Sequence, residues 1–313
     1  MMRFRMWAEL VPLYERVTLR RSAVEKLSAR FWRGVVRGYV RWSPLRKGKW
    51  RVMEALSPLY AASEPQLRRL PGGATIQLDL GEHVQRWIYF FGVYEKETVD
   101  WFRSNLRPGM VVLDIGANVG QYTLIAARDV GPNGRIHAFE PNPISYRRLA
   151  SNIEINSFGN VSTHALAISD CAGEVTLYVP DHDNMGEASL QMSQTGQRNI
   201  TVRSVTIDEW ARNADLGATP HIDLIKIDVQ GLESAVLRGA RQIMLRFRPI
   251  IICEFEERWL RDSGTSSVEL KRMLSELSYS VNRITSSGLS QVAADEVHNF
   301  ENLVLVPAAV RKA

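Results

Sequence analysis

The 313-residue sequence is 45% hydrophobic and 23% charged, which suits a folded chain with a full core and excludes disordered, collagen-like and disulfide-scaffold classes. Its net charge of +5 is uneven, because residues 1 to 60 hold 14 Lys and Arg against 4 Asp and Glu while the remaining 253 hold 25 against 30. A basic arm precedes a mildly acidic body, and no apolar run approaches the ~18 to 20 residues of a membrane-spanning helix.

Two cysteines, Cys171 and Cys253, are too few and too isolated for a disulfide framework or a zinc site, and read as packing residues of a reducing compartment. The first residues are basic but lack the apolar stretch and small-residue cleavage site of a secretory signal, so the expected location is cytoplasmic.

Residues 1 to about 60 read as three short helices interrupted near Pro12, Pro44 and Pro58. In the middle one, Val24, Leu27, Phe31, Val35 and Trp42 share a side, while Lys26, Arg30, Arg33, Arg37 and Arg41 gather nearly opposite. Such a helix either attaches to an anionic membrane surface or acidic partner, or packs its apolar stripe on the body and solvates its arginines. The first reading makes the chain peripheral on the inner membrane surface, through residues 1–60.

After the turn signal Pro71-Gly72-Gly73, alternation over 74–80 predicts a strand and 85–94 a second apolar segment, together a small hairpin before the main sheet. Then strand and helix alternate: strand 111–115, helix from Gln121, strand 136–139, helix from Ile144, strand 161–168. Strands at 224–227, 250–255, 280–284 and 303–306 continue the series. Near-continuous apolar strands alternating with helices predict an α/β fold, a parallel sheet covered on both faces. The expected division is a helical extension over 1–70 and a main domain over 71–313.

The most informative stretch is Val111-Val-Leu-Asp-Ile-Gly-Ala-Asn-Val-Gly120, an apolar strand running through a glycine turn into a helix. Glycines permit a tight turn and close ligand approach, and the helix start offers unpaired N–H groups. The loop lacks the Gly-Lys-Ser/Thr ending of a phosphate-binding P-loop, and Gly116-x-x-x-Gly120 is not Gly-x-Gly-x-x-Gly. Asp114 at the strand end would repel a pyrophosphate but suits a ligand bearing an ammonium, as S-adenosylmethionine does. Glu140, ending the next strand, can accept both hydroxyls of a ribose. Ser169 and Asp170 follow the third strand, where they could meet an adenine edge.

The motifs Asp114-Ile-Gly-Ala-Asn-Val-Gly-Gln-Tyr-Thr123, Phe139-Glu-Pro-Asn-Pro143, Ala167-Ile-Ser-Asp170, Asn184-Met-Gly-Glu-Ala-Ser-Leu190, Thr206-Ile-Asp208, Ile225-Lys-Ile-Asp-Val-Gln-Gly-Leu-Glu233 and Pro249-Ile-Ile-Ile-Cys-Glu254 closely resemble those of the FkbM-type methyltransferases. Order and spacing match from about Gly92 to Pro307; the arm before residue 70 lies outside. The resemblance implies a class I, Rossmann-like S-adenosylmethionine-dependent fold of seven strands with the last antiparallel. It implies O-methylation of a hydroxyl on a sugar, glycan or natural product. It also implies that Asp114, Gly116, Asn118 and Gly120 cradle the methionine part of the cofactor with Thr123 nearby, that Glu140 holds the ribose, and that Tyr94 and Glu95 close over the cofactor. Gln230 departs from the commoner Val-Glu-Gly of the family, which weakens any base at that position.

Methyl transfer to a hydroxyl needs alignment, water exclusion and a group to take or share the proton. Asp228, at the end of strand 224–227, is the leading candidate and also borders the cofactor, because ligands in open parallel sheets lie beyond the strands' carboxyl ends. Glu233 and Glu254 are the other catalytic candidates on the same rim. These acids could alternatively hold a divalent cation, but no ligand set is readable and no metal site is assigned. Lys226 reads as structural, pointing to the other face from its apolar neighbours. His182, Asn184 and Ser189, in the polar insertion 180–201, are candidate acceptor contacts, and His298 and Asn299 are weaker ones.

The basic arm alone supports a nucleic-acid methyltransferase. Against it, no Asp/Asn-Pro-Pro-Tyr/Phe run and no Pro-Cys dipeptide is present. A non-enzymatic S-adenosylmethionine-binding module is the remaining alternative, disfavoured by the intact loop and Glu140. The acceptor's identity and the oligomeric state are not readable.

Overall fold

The computed structural model describes residues 23–44, 48–61, 64–180, 197–217, 220–299 and 301–308. The chain divides into two compact units, residues 1–68 with 77–94, and residues 69–76 with 95–313. The division differs from the expected break at 70 and 71, since 77–94 groups with the extension. No helix of the described residues is long and apolar enough to cross a membrane.

The first unit contains helices α1 (Ala23–Trp42), α2 (Lys49–Ala55) and α3 (His83–Phe91). Residues 85–94, expected as strand-like, are mostly the helix α3, which ends at Gly92 with φ 100°. A seven-residue apolar run does not distinguish strand from helix by itself; the glycine terminator and the buried row Gln85, Ile88 and Tyr89 at helical spacing decide it. The buried Arg86 donates to Glu54 Oε2 at 3.0 Å and to the carbonyls of Leu80 and Gly81, tying α3 to α2. Strands β1 (Gln66–Arg69) and β2 (Thr75–Leu78) form a hairpin around the Pro-Gly-Gly turn, so the partner of the expected strand precedes the turn instead of lying at 85–94, and the division between units runs through the hairpin.

The second unit is built on an eight-stranded sheet: β3 (Val111–Ile115), β4 (Arg135–Phe139), β5 (Val161–His164), β9 (Leu224–Ile227), β10 (Ile250–Phe255), β11 (Tyr279–Thr285), β12 (Gly288–Gln291) and β13 (Glu301–Pro307). Their spatial order is β12-β11-β13-β10-β9-β3-β4-β5. Strands β5, β4, β3, β9 and β10 pair in parallel, while β13 lies antiparallel between β10 and β11. This is the class I methyltransferase order with its last strand reversed. The expected seven strands become eight because β12 folds back on β11 as an antiparallel edge. The expected strand 161–168 breaks in two: β5 ends at His164, and β6 (Ala167–Ile168) joins β7 (Gly173–Pro180) and β8 (Gln197–Val205) in a separate three-stranded sheet.

Helices α4 (Lys96–Asn105), α5 (Gln121–Val130), α6 (Pro143–Asn156), α7 (Ile207–Trp210), α8 (Glu233–Gly239), α9 (Arg241–Phe247), α10 (Glu257–Asp262) and α11 (Ser267–Glu276) complete the unit. Successive strand residues point to opposite faces. Leu113, Ile115, Ile225, Ile227, Ile251, Cys253 and Phe255 fill the largest core cluster on one face, with Val236 and Leu237 of α8 and Met244 of α9. The intervening residues Asp114, Lys226 and Glu254 therefore share the other face.

Candidate active site

The loop after β3 is shaped by close backbone approach. A Cβ at Gly116, φ 82°, would lie 1.8 Å from the carbonyl oxygen of Asp228, so only glycine lets the loop cross the end of β9. At Gly120, φ 98°, a Cβ would meet Leu149 Cδ1 at 2.7 Å, which sets α5 close against α6. Asn118 also stands at positive φ, 49°, a conformation its short polar side chain tolerates.

Glu140 faces this loop. Its Oε2 accepts from the Asn118 N–H and its Oε1 from the Asn142 N–H, both at 2.8 Å. Burial pushes its carboxyl up to about 7, against the pull of those two amides. Each oxygen retains a further acceptor position for a ribose hydroxyl, and the buried Asn142 Nδ2 beside it has no hydrogen-bond partner. A cradle that a Cβ would fill, a carboxylate at its rim and an unpaired buried donor fit an adenosyl cofactor.

Register explains the next feature. Asp114 pairs laterally with Lys226, and Lys226 with Ile252, so Asp114, Lys226 and, two residues further along β10, Glu254 run across three strands. Lys226 does point away from Ile225 and Ile227, as expected, but the face it enters belongs to the acids. Its Nζ is fully buried 3.4 Å from Asp228 Oδ2 and 5.1 Å from the centre of the Tyr122 ring. Burial alone would lower its pKa, but Asp228, Glu95, Glu254 and Asp114 together hold it above its ordinary value.

Thr123 donates its hydroxyl to Asp114 Oδ2, and burial raises Asp114 to about 6 in spite of that bond. Glu95 caps α4 in a left-handed conformation, φ 52°, and accepts from Tyr122 Oη at 3.1 Å and Asn302 Nδ2 at 2.9 Å. Burial pushes its carboxyl upward, partly offset by Lys226. Glu254 is buried with an unpaired Oε2, and desolvation followed by the charge of Asp228 holds its carboxyl well above the usual range.

Glu233 has different company: its carboxylate accepts from the N–H groups of Val229 and Gly231, clamping the turn after β9. Burial lifts it to about 7. Ser169 is buried at the end of β6, where its carbonyl leaves room only for glycine at 239, and Asp170 pairs with Arg238 at 2.9 Å. Tyr94 belongs to the first unit, where its ring meets Trp87 edge-on. His298 is buried with Nδ1 2.8 Å from Glu301, a contact at the start of β13, and Asn299 is exposed. His182, Asn184 and Ser189 lie outside the described residues. Among the described residues no group of three or more His, Cys, Asp or Glu is arranged to hold a metal ion.

Sequence reasoning missed Lys226, Tyr122 and Asn302 as parts of the site. Lys226 carried a usable signal, since it stands two residues before Asp228 and so shares its face; Asn302 reaches Glu95 across 207 positions and carried none.

A family model described as the methyltransferase FkbM domain matches residues 114–281, from the acid of the glycine loop to β11. The chain belongs to the FkbM methyltransferase family. Its relatives include the 31-O-demethyl-FK506 methyltransferase FkbM of Streptomyces tacrolimicus, 38% identical over 204 residues, 55% of this chain and 74% of that protein. Methyltransferase 1 of Beauveria bassiana is 29% identical over 143 residues, covering 41% of this chain and 57% of its own length. The hexuronic acid methyltransferase AglP of Haloferax volcanii is 25% identical over 158 residues, 50% of this chain and 61% of that protein. The chain thus matches little more than half the length of some of these relatives. The cofactor of this family is S-adenosylmethionine.

Proposed function

We propose that this FkbM-family chain transfers a methyl group from S-adenosylmethionine to a hydroxyl oxygen of a sugar unit or natural product. The relatives act on FK506 and on a hexuronic acid by their names, which supports an oxygen-rich acceptor. The reading includes work in the cytoplasm, with residues 1–60 against an inner membrane surface.

One observation carries the mechanism. Of the four acids at the strand ends, Asp114, Glu140 and Glu254 are buried, whereas the Asp228 side chain keeps 29% of its surface open. It is the strand-end carboxylate that an incoming hydroxyl can reach. The bound cofactor supplies an electrophilic methyl on a positively charged sulfur that leaves as a neutral thioether. Glu140 orients the ribose, and the Gly116 to Gly120 loop closes over the methionine part. Asp228 accepts the hydroxyl proton as the oxygen is methylated. Lys226 and the Gln230 amide, 3.1 Å from Asp228 Oδ1, fix the carboxylate's direction. Glu254, its carboxyl held above the usual range by burial and the charge of Asp228, stands beside the proton acceptor, and Glu233 shapes the turn that presents Asp228.

The Asp228→Asn variant keeps the shape and loses the proton acceptor. Turnover should fall by roughly 10²- to 10⁴-fold with S-adenosylmethionine affinity, measured calorimetrically, within a few-fold of the parent. Unchanged turnover on a hydroxylated acceptor would remove Asp228 from the chemistry.

A further inference from the structure

Helix α1 buries the smaller of its apolar side chains and exposes the larger. Ala29 and Val36 are buried where α1 packs on α2 and α3 in its own unit. Leu27, Phe31, Val35 and Trp42 are exposed at 69, 63, 41 and 77%. At 100° per residue they occupy an arc of about 80°, and Lys26, Arg30, Arg33, Arg37 and Arg41 fill a second arc of about the same width. The nearest edges, Arg41 and Leu27, are about 40° apart. The helix therefore presents an apolar band and, beside it, the exposed cations Arg30, Arg37 and Arg41 to solvent, with Lys26 paired to Glu64 at 2.5 Å, Arg33 half-buried, and Ala29 and Val36 as the attachment line. No Asp or Glu occurs between Lys26 and Trp42.

A contiguous exposed apolar band marks an interaction surface. A protein partner would need a fitted groove and separately placed acids along three turns. An anionic bilayer meets both bands with one chemistry: the headgroup–acyl boundary takes Leu27, Phe31, Val35 and Trp42, and lipid phosphates take the guanidinium groups. Trp42 and the half-buried Trp32 and Tyr39 are side chains favoured at that depth. We propose that α1 lies in the plane of an anionic membrane surface and holds the chain there. This surface stands on its own observations and would survive failure of the methyl-transfer reading.

The test is co-sedimentation of the full chain with phosphatidylcholine vesicles, with and without phosphatidylglycerol, over a salt series. Binding should need the anionic lipid and weaken as salt rises. The variants Leu27→Asp with Phe31→Asp, and Arg30→Gln with Arg37→Gln and Arg41→Gln, should each weaken it by about tenfold or more. Because all five side chains are exposed, circular dichroism and melting should stay near the parent, and Leu289→Asp, at an exposed apolar site on β12, should bind like the parent. Vesicle binding retained by both variants would overturn the proposal, as would absence of binding by the parent. A dimer that Leu27→Asp with Phe31→Asp dissociates, without vesicle binding, would assign the face to a second copy instead.

Discussion

The two faces of the central sheet are made by the same strands, residue by alternate residue, yet differ in kind. On one face Leu113, Ile115, Ile225, Ile227, Ile251 and Phe255 are buried against helices with no charge among them. On the other, Asp114, Lys226 and Glu254 form a buried polar row at the carboxyl ends of β3, β9 and β10, backed by Val112, Leu224 and Ile252 deeper in the same strands. The polar row is confined to the strand ends, where a ligand can compensate the charges. One face therefore holds the sheet to its helices and the other holds a site together, and substitutions should separate the two.

Removing the cation should have the largest effect. Lys226→Met leaves Asp228, Glu95, Glu254 and Asp114 without their shared partner, at a cost of about 3–5 kcal/mol near neutral pH by denaturant unfolding. The cost should shrink at pH 5, below the raised value of about 6 at Asp114; an equal cost at both values would show that Lys226 acts by packing alone. On the apolar face, Ile225→Ala should cost about 2–5 kcal/mol through lost burial and a cavity. Its folded fraction should bind S-adenosylmethionine like the parent, and a matching loss of affinity would blur the division between the faces.

Third in size is a pH effect. Burial raises Asp114 to about 6 and Glu140 and Glu233 to about 7. The folded chain therefore keeps protons that the unfolded chain has released. The stability these groups contribute is complete below about pH 4 and lost as pH rises through about 6 to 7. Glu140→Gln should remove on the order of 1 to 3 kcal/mol of that fall between pH 5 and 8 without cofactor, and an unaltered slope would contradict the burial of its charge. Smallest is Asp170→Ala. Its pair with Arg238 is 38 and 43% exposed, so stability should change by less than about 1 kcal/mol. A loss of cofactor affinity at unchanged stability would then assign Asp170 to the adenine edge.

Much of this was legible beforehand. The Gly116 and Gly120 turn, the acids at the ends of β3, β4, β9 and β10, and the parallel order follow from motifs in which a local run settles both conformation and direction. The difficulties arose where local signals are degenerate. An apolar run around Ile88 is compatible with strand or helix until Gly92 and the contacts of Arg86 decide. A stretch such as 161–168 reads as one strand although β5 and β6 pair with different neighbours. Glu233 looks like a rim carboxylate, but its oxygens turn back to the amides of its own loop.

The amino-acid order by itself determined the class of fold, the glycine cradle and Glu140, because backbone conformation, strand alternation and motif spacing are properties of short segments. Tertiary structure alone decided that Lys226 stands among four acids, that Asn302 reaches Glu95, and that α1 keeps Leu27, Phe31 and Trp42 in solvent. Those outcomes depend on lateral register and on which neighbour covers which face, and both are set by contacts between residues far apart along the chain.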